Sequence, residues 1–157
     1  MITTTLVEHP WLAPALLLAV VAVGLLGGPW LVPRRRLTWW LGAASLLPVV
    51  ALTLVPVDRE LFARCSVQWA LPTPGRVELM ANLALFVAPV LLAGIATRRP
   101  VLALLAGSGA SIVLEAVQAA VPAIGRSCDT NDWLSNTLGA VVGAALAWVA
   151  LRRAQRV

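Results

Sequence analysis

Five apolar segments, each close to twenty residues long, constrain the fold of this chain more than any other feature. They run over about residues 11–32, 38–56, 78–96, 100–121 and 133–151. A helix of about 20 apolar residues crosses the ~30 Å hydrocarbon core of a membrane. The chain is 60% hydrophobic and only 12% charged, too few polar residues to cover a soluble domain. The sequence therefore predicts an all-α integral membrane helical bundle with five transmembrane helices, a single domain over residues 1–157.

The placement of arginine predicts how these segments cross the membrane. Eight of the twelve basic residues lie between segments one and two, between segments three and four, or after segment five. Five spans place these three groups on one side and leave four arginines on the other. Because basic loops stay in the cytoplasm, we expect the N-terminus outside and the C-terminus in the cytoplasm. The formal net charge of +5 comes from these clusters, so it does not indicate nucleic-acid binding.

Polar residues interrupt the apolar pattern between residues 111 and 143. Ser111, Glu115 and Gln118 are spaced i, i+4, i+7, which places them on one face of a helix. A second stripe forms if the last helix extends back to the preceding turn, and it comprises Asp129, Asp132, Asn136, Gly139 and Gly143. The turn between the stripes contains Arg126, so the two stripes can face each other. Ionisable groups inside membrane helices are costly and usually face the bundle for a functional reason.

The predicted topology brings a third helix to the same depth. Segment three enters from outside, which places Glu78 and Asn82 near its outer end. Segment four leaves toward the outside near Glu115, and segment five re-enters near Asp132. At 1.5 Å per residue, these polar groups lie within roughly 10 Å of the outer boundary. We therefore expect a polar pocket that opens to the outside or to the outer leaflet.

Each of these residues also has a structural interpretation. Asn82 and Asn136 can pair across helices, and Ser111 can bond to the backbone of its own helix. Gly139 and Gly143 form a small-residue pair typical of close helix packing.

The carboxylates leave the same two interpretations open. Glu115 is either a group for binding or chemistry or half of an ion pair with Arg126. Asp129 and Asp132 can be a solvated turn and a helix N-cap.

The long connection at residues 57–77 carries one cysteine, and the turn before segment five carries the other. Both fall on the predicted outer side, where Cys65 and Cys128 either form a disulfide or remain two thiols; we expect the disulfide. Two cysteines without supporting histidines do not make a zinc site, so we expect no metal. No nucleotide-binding or hydrolase motif occurs, and we expect no cofactor. Helix is plausible over residues 58–65 of the connection.

The motifs in the second half of the chain resemble the VanZ-like family. The resemblance rests on Asn82, Phe86 and Pro89, on the Ser111, Glu115 and Gln118 helix, and on a closing segment with Arg126, Asp129, Asp132, Asn136, Gly139 and Gly143. It covers roughly residues 40–150, with core motifs in 78–143. One departure is that Pro89 is followed by Val90-Leu91, where the family often has Pro-x-Gly.

The resemblance implies a small protein of the bacterial plasma membrane, of a type linked to teicoplanin (lipoglycopeptide) resistance. We expect its partners to be membrane lipids and a lipid-linked cell-wall precursor or lipoglycopeptide. Ligand-binding candidates are Glu115, Gln118, Arg126, Asp129, Asp132, Asn136, Asn82 and Ser111. One alternative is an enzyme acting on a lipid-linked substrate, with Glu115 or Asp132 as general base. A proton-coupled exporter fits less well, because its polar groups would need access from both faces.

Overall fold

The structure, a computed structural model, describes residues 8–57 and 63–156. Its five long helices are α1 (Leu12–Leu31), α2 (Arg35–Leu54), α3 (Val77–Thr97), α4 (Pro100–Ala120) and α5 (Thr130–Ala154). Every one of them is long and apolar enough to span a membrane. The predicted all-α helical bundle with five candidate spans is therefore confirmed.

The five helices alternate in direction, so the bundle has two chemically different ends. The polar end comprises the end of α2, the start of α3, the end of α4 and the start of α5. The arginine end comprises the α1–α2 turn, the α3–α4 turn and the end of α5. Arg98 adopts a left-handed conformation with φ 58°, which ends α3, and Pro100 supplies the fixed φ that suits the first residue of α4.

Helix α3 is the centre of the bundle and contacts each of the other four helices. In its most apolar window 67% of the residues are buried, against 50% in α5 and 11–17% in α1, α2 and α4. The three less buried helices expose large side chains such as Leu18, Leu47 and Leu105. These surfaces are suited to face lipid, because acyl chains are as apolar as leucine.

The contact between α3 and α5 is the tightest in the bundle. A Cβ atom at Gly139 would overlap the carbonyl oxygen of Leu83, and one at Gly143 would lie 2.5 Å from that of Val87. The two helices therefore meet backbone to backbone, as the structural interpretation of this glycine pair predicts. Below this contact, Val87, Leu91 and side chains of α1 and α5 form the main apolar core.

The connection between α2 and α3 packs against the polar end. Strand β1 (Cys65–Ser66) pairs in parallel with β2 (Cys128–Asp129), with Cys65 opposite Cys128. A short 3₁₀ turn, Pro122–Ile124, follows α4, and its Ile124 carbonyl accepts a hydrogen bond from Val57 N–H at 3.0 Å. The predicted helix over residues 58–65 is wrong at its described end, because Cys65 pairs with β2 instead. Residues 58–62 lie outside the described part of the chain.

Candidate functional site

The start of α5 lies below the end of α4, which places the polar groups inside the bundle. Two contacts set this register: Asp129 N–H donates to Glu115 Oε2 at 2.7 Å, and Asn136 Nδ2 donates to Ser111 Oγ at 2.9 Å. Helix α4 continues for five residues beyond Glu115. At 1.5 Å per residue, its end rises about 7.5 Å above the first turn of α5. The first turn of α5 and the Glu115 carboxylate are therefore recessed beneath the end of α4.

The Glu115 carboxylate is bound by a backbone amide rather than by an arginine. Its Oε2 atom accepts the N–H of Asp129, and the residue is only partly exposed. The charged groups that act on it most strongly are Asp132 and Asp129, both acidic. The structure thus gives Glu115 a different partner from Arg126, the ion-pair partner considered in the sequence. The carboxylate orders the β2–α5 junction and remains beside a second carboxylate.

Asp129 is the N-cap of α5. Its Oδ1 accepts the backbone N–H of Asn131 at 2.8 Å, and its Oδ2 accepts the hydroxyl of Ser66 at 2.7 Å. This is the N-cap role that short polar side chains perform at the start of a helix. Because both oxygens are engaged, Asp129 holds β1 and α5 together.

Asp132 brings α3 and the Arg126 turn into the same cluster. Its carboxylate lies beside the Asn82 side chain of α3, and the charges acting on it include Asp129, Glu78 and Arg126. Glu78 is exposed, whereas Asn82, Arg126 and Asp132 are partly buried. The structure therefore unites the three polar helix faces that the sequence places at one depth.

Ser111 and Asn136 form a buried pair between α4 and α5. The Asn136 amide donates to the Ser111 hydroxyl, and the two residues are 3% and 0% exposed. Pairing across helices, one of the two interpretations of Asn136, therefore accounts for the hydrogen bond of its side-chain nitrogen. Its Oδ1 atom is buried and lacks a hydrogen-bond partner among residues 8–57 and 63–156.

Gln118 is directed toward α2 rather than toward α5. Its Nε2 donates to the backbone carbonyl of Thr53 at 3.0 Å, and it is 6% exposed. Thr53 has a free main-chain carbonyl because it lies in the last turn of α2. Gln118 thus links α2 to α4, while its Oε1 has no hydrogen-bond partner in the part of the chain that the structure describes.

Buried polar atoms without a hydrogen-bond partner concentrate at the polar end. In residues 8–57 and 63–156 these atoms are Gln118 Oε1, Arg126 Nε, Ser135 Oγ and Asn136 Oδ1. Each such atom costs about 1–3 kcal/mol relative to a satisfied one. Native structures usually satisfy these groups with protein, ordered water or a ligand. All four belong to the residues around Glu115 and Asp132.

The extended segment 66–70 covers the first turn of α5. Its Gln68 exchanges two hydrogen bonds with the Thr130 hydroxyl, and its Ala70 N–H donates to Asn131 Oδ1 at 2.7 Å. Trp69 packs edge-on against Trp133 with ring centroids 6.2 Å apart. Cys65 and Cys128 form a disulfide beside these contacts, with Cα atoms 4.5 Å apart.

Sequence reasoning missed several polar residues of this region. They are Thr53, Ser66, Thr130, Asn131 and Ser135. Asn131 and Ser135 are spaced i, i+4, so they form a polar face beside the Asp132–Asn136 stripe that the sequence analysis did use. Thr53 and Ser66 act on residues more than sixty positions away, and no local pattern predicts such contacts.

The pocket that the sequence predicts at the polar end stays a prediction. Two open depressions, of about 490 and 380 Å³, lie at the arginine end. The residues lining them include Arg98 in the larger and Trp148 in the smaller. No group of three His, Cys, Asp or Glu side chains suited to a metal occurs in the part of the chain that the structure describes.

One known family accounts for nearly the whole chain. VanZ/LLP1 matches residues 13–151, which include all five helices except their outermost residues. The chain belongs to the VanZ/LLP1 family. No curated protein and no solved structure matches it. The VanZ/LLP1 range contains the entire polar cluster, and the family suggests a VanZ-like membrane protein linked to glycopeptide resistance.

Proposed function

We propose that this VanZ-like protein binds the head group of a cell-envelope lipid or lipid-linked ligand at its polar end. The observation that carries the proposal is the set of four buried polar atoms without partners, on Gln118, Arg126, Ser135 and Asn136. A bound head group would supply the hydrogen bonds that these atoms lack. The protein would thereby act in glycopeptide, specifically teicoplanin, resistance.

The chemistry of the four atoms suits a ligand with both hydroxyl or amide groups and an anionic group. Gln118 Oε1 and Asn136 Oδ1 accept hydrogen bonds, and Ser135 Oγ can donate or accept. Arg126 Nε donates and carries positive charge, which favours a phosphate or carboxylate. Lipid-linked cell-wall precursors and lipoglycopeptides contain all of these groups.

The proposed orientation places the ligand on the outer side of the membrane. The arginine end carries Arg34–Arg36, Arg98–Arg99 and Arg152–Arg156, so we assign it to the cytoplasm. The polar end then faces the outside of a bacterial plasma membrane, where envelope precursors are assembled. Its recess below the end of α4 suits a ligand that enters from the outer leaflet.

A second candidate function is an enzyme acting on a lipid-linked substrate. The specific observation favouring it is that the Glu115 and Asp132 carboxylates lie close enough to influence each other. Two neighbouring carboxylates can divide the roles of general acid and general base. Incubation of purified protein with a labelled polyprenyl-linked precursor distinguishes the two functions, because only an enzyme forms a new labelled product.

The test of binding uses Glu115→Gln and Arg126→Gln, with Arg76→Gln as the matched control. Arg76 is exposed at the same end of the bundle, so its replacement removes the same positive charge as Arg126→Gln, but outside the cluster. We expect both cluster variants to fold at normal yield but to lose teicoplanin tolerance and retention of the labelled precursor. The control variant should keep both properties. Normal tolerance in both cluster variants would contradict the proposal.

A further inference from the structure

The smaller depression at the arginine end has the composition of a lipid head-group site. It has a volume of about 380 Å³ and is lined by Trp148, Val149, Arg152, Arg153 and Arg156. These residues belong to the last two turns of α5 and the residues just after it. The depression is at the opposite end of the bundle from the polar cluster, so it is independent of the proposed function.

Two of its arginines are held in place by neutral groups. The Arg152 guanidinium lies over the Trp148 ring, 5.0 Å from the ring centroid. Arg153 Nη1 donates to the Leu25 carbonyl of α1 at 3.1 Å. Both contacts orient the guanidinium groups without neutralising their charge.

In the part of the chain that the structure describes, no acidic side chain lies at the arginine end to neutralise this site. In residues 8–57 and 63–156, the acidic side chains are Glu8, Glu78, Glu115, Asp129 and Asp132. They lie in the polar end or just before the start of α1, on the same side of the bundle. Within the described residues these arginines are not paired with an acidic side chain, so an anion from outside the protein can bind them.

Along α5, apolar side chains are followed by charged ones, which matches the order of acyl chains and phosphate in a phospholipid. Trp148 and Val149 precede Arg152 and Arg153 by one turn, so they lie about 6 Å deeper in the membrane. Trp148 is 54% exposed and offers an apolar surface to acyl chains. The arginines above it offer forked donors at the level of the phosphate.

We infer that this depression binds the phosphodiester head group of an anionic phospholipid in the leaflet at the arginine end. Arg152 and Arg156 hold the phosphate, and Arg153 fixes the site to α1. Trp148 and Val149 contact the acyl chains. Clusters of basic residues at the end of a membrane helix attract such head groups.

Native mass spectrometry of the purified full chain tests this inference. The probes are phosphatidylglycerol and phosphatidylcholine with identical acyl chains, and retained lipid is counted for each protein. We expect the native protein to retain phosphatidylglycerol about tenfold more than phosphatidylcholine. The double variant Arg152→Gln/Arg156→Gln should lose this preference.

The matched control is Arg35→Gln/Arg36→Gln, which removes two exposed arginines from α2 at the same end. It should keep the preference, and an equal loss in both double variants would overturn the site in favour of general electrostatic attraction. If the first double variant does not fold, Arg156→Gln alone follows, because Arg156 lies beyond the last residue of α5. This variant should lower the preference several-fold, and an unchanged preference would overturn the inference. Excess inorganic phosphate should not abolish lipid retention; if it does, the site binds free phosphate.

Discussion

The substitution Gly143→Ala tests the backbone contact between α3 and α5. The new Cβ atom would lie 2.5 Å from the Val87 carbonyl oxygen, 3.0 Å from the Leu91 nitrogen and 3.1 Å from Val90 Cβ. All three belong to the backbone or first side-chain carbon of α3, so none can rotate away. The helices must separate, which loosens the contacts of Val87 and Leu91 in the main core. Overpacking of this kind costs about 1–3 kcal/mol.

Thermal unfolding in detergent micelles, followed by size-exclusion chromatography, measures this cost. For a chain of this size we expect the midpoint to fall by roughly 3–10 °C. Gly109→Ala is the control, because in the described part of the chain a Cβ built on this α4 residue meets no atom within 4 Å beyond its chain neighbours and its own helix backbone. Its midpoint should be unchanged or slightly raised, since alanine favours helix over glycine. Equal midpoints for the two variants would refute the close packing inferred for α3 and α5.

Three further predictions address the disulfide, the topology and the buried polar pair. Intact mass spectrometry without reductant should show two hydrogens fewer than the reduced protein, located at Cys65 and Cys128; alkylatable thiols at both would contradict this. Reporter fusions after Arg36 and after Val157 should both report cytoplasm, and an external C-terminus would reverse the assignment of the two ends. Ser111→Ala should lower the unfolding midpoint modestly, by the equivalent of about 0.6–2 kcal/mol, because Asn136 Nδ2 loses its acceptor. No change in the midpoint would indicate that the pair does not stabilise the helix contact.

The helices were predictable because the membrane imposes a length on each apolar run. The segment predicted at 78–96 is the helix Val77–Thr97 in the structure, and the segment predicted at 100–121 is the helix Pro100–Ala120. The largest differences are at polar termini: α5 starts at Thr130 rather than at 133, because Asp129 caps it. A hydropathy profile does not detect a helix N-cap, since the capping residues are themselves polar.

The sequence predicts which residues form the polar cluster, but not which group each of them bonds to. The bonding partners depend on the register of α4 against α5. Helical spacing places Glu115 and Ser111 on one face, but does not specify the partner of either. The partner of Glu115 is a backbone N–H, a group that every residue except proline has. Sequence patterns therefore favoured Arg126, whose charge is visible in the sequence, over an amide that is not.

The position of the candidate site depends on the connection before α3 as much as on helix packing. The glycine contacts of α5 lie at Gly139 and Gly143, whereas Asp129 and Asp132 lie in the part of the chain that precedes them. That first part is held by β1, by the disulfide and by Gln68 and Ala70. Without these bonds, the start of α5 would be held by its contacts with α4, at Glu115 and Ser111, and by α3. The connection therefore helps to position Asp132 on α5 relative to Glu115 on α4, the two carboxylates on which the second candidate function, an enzyme, depends.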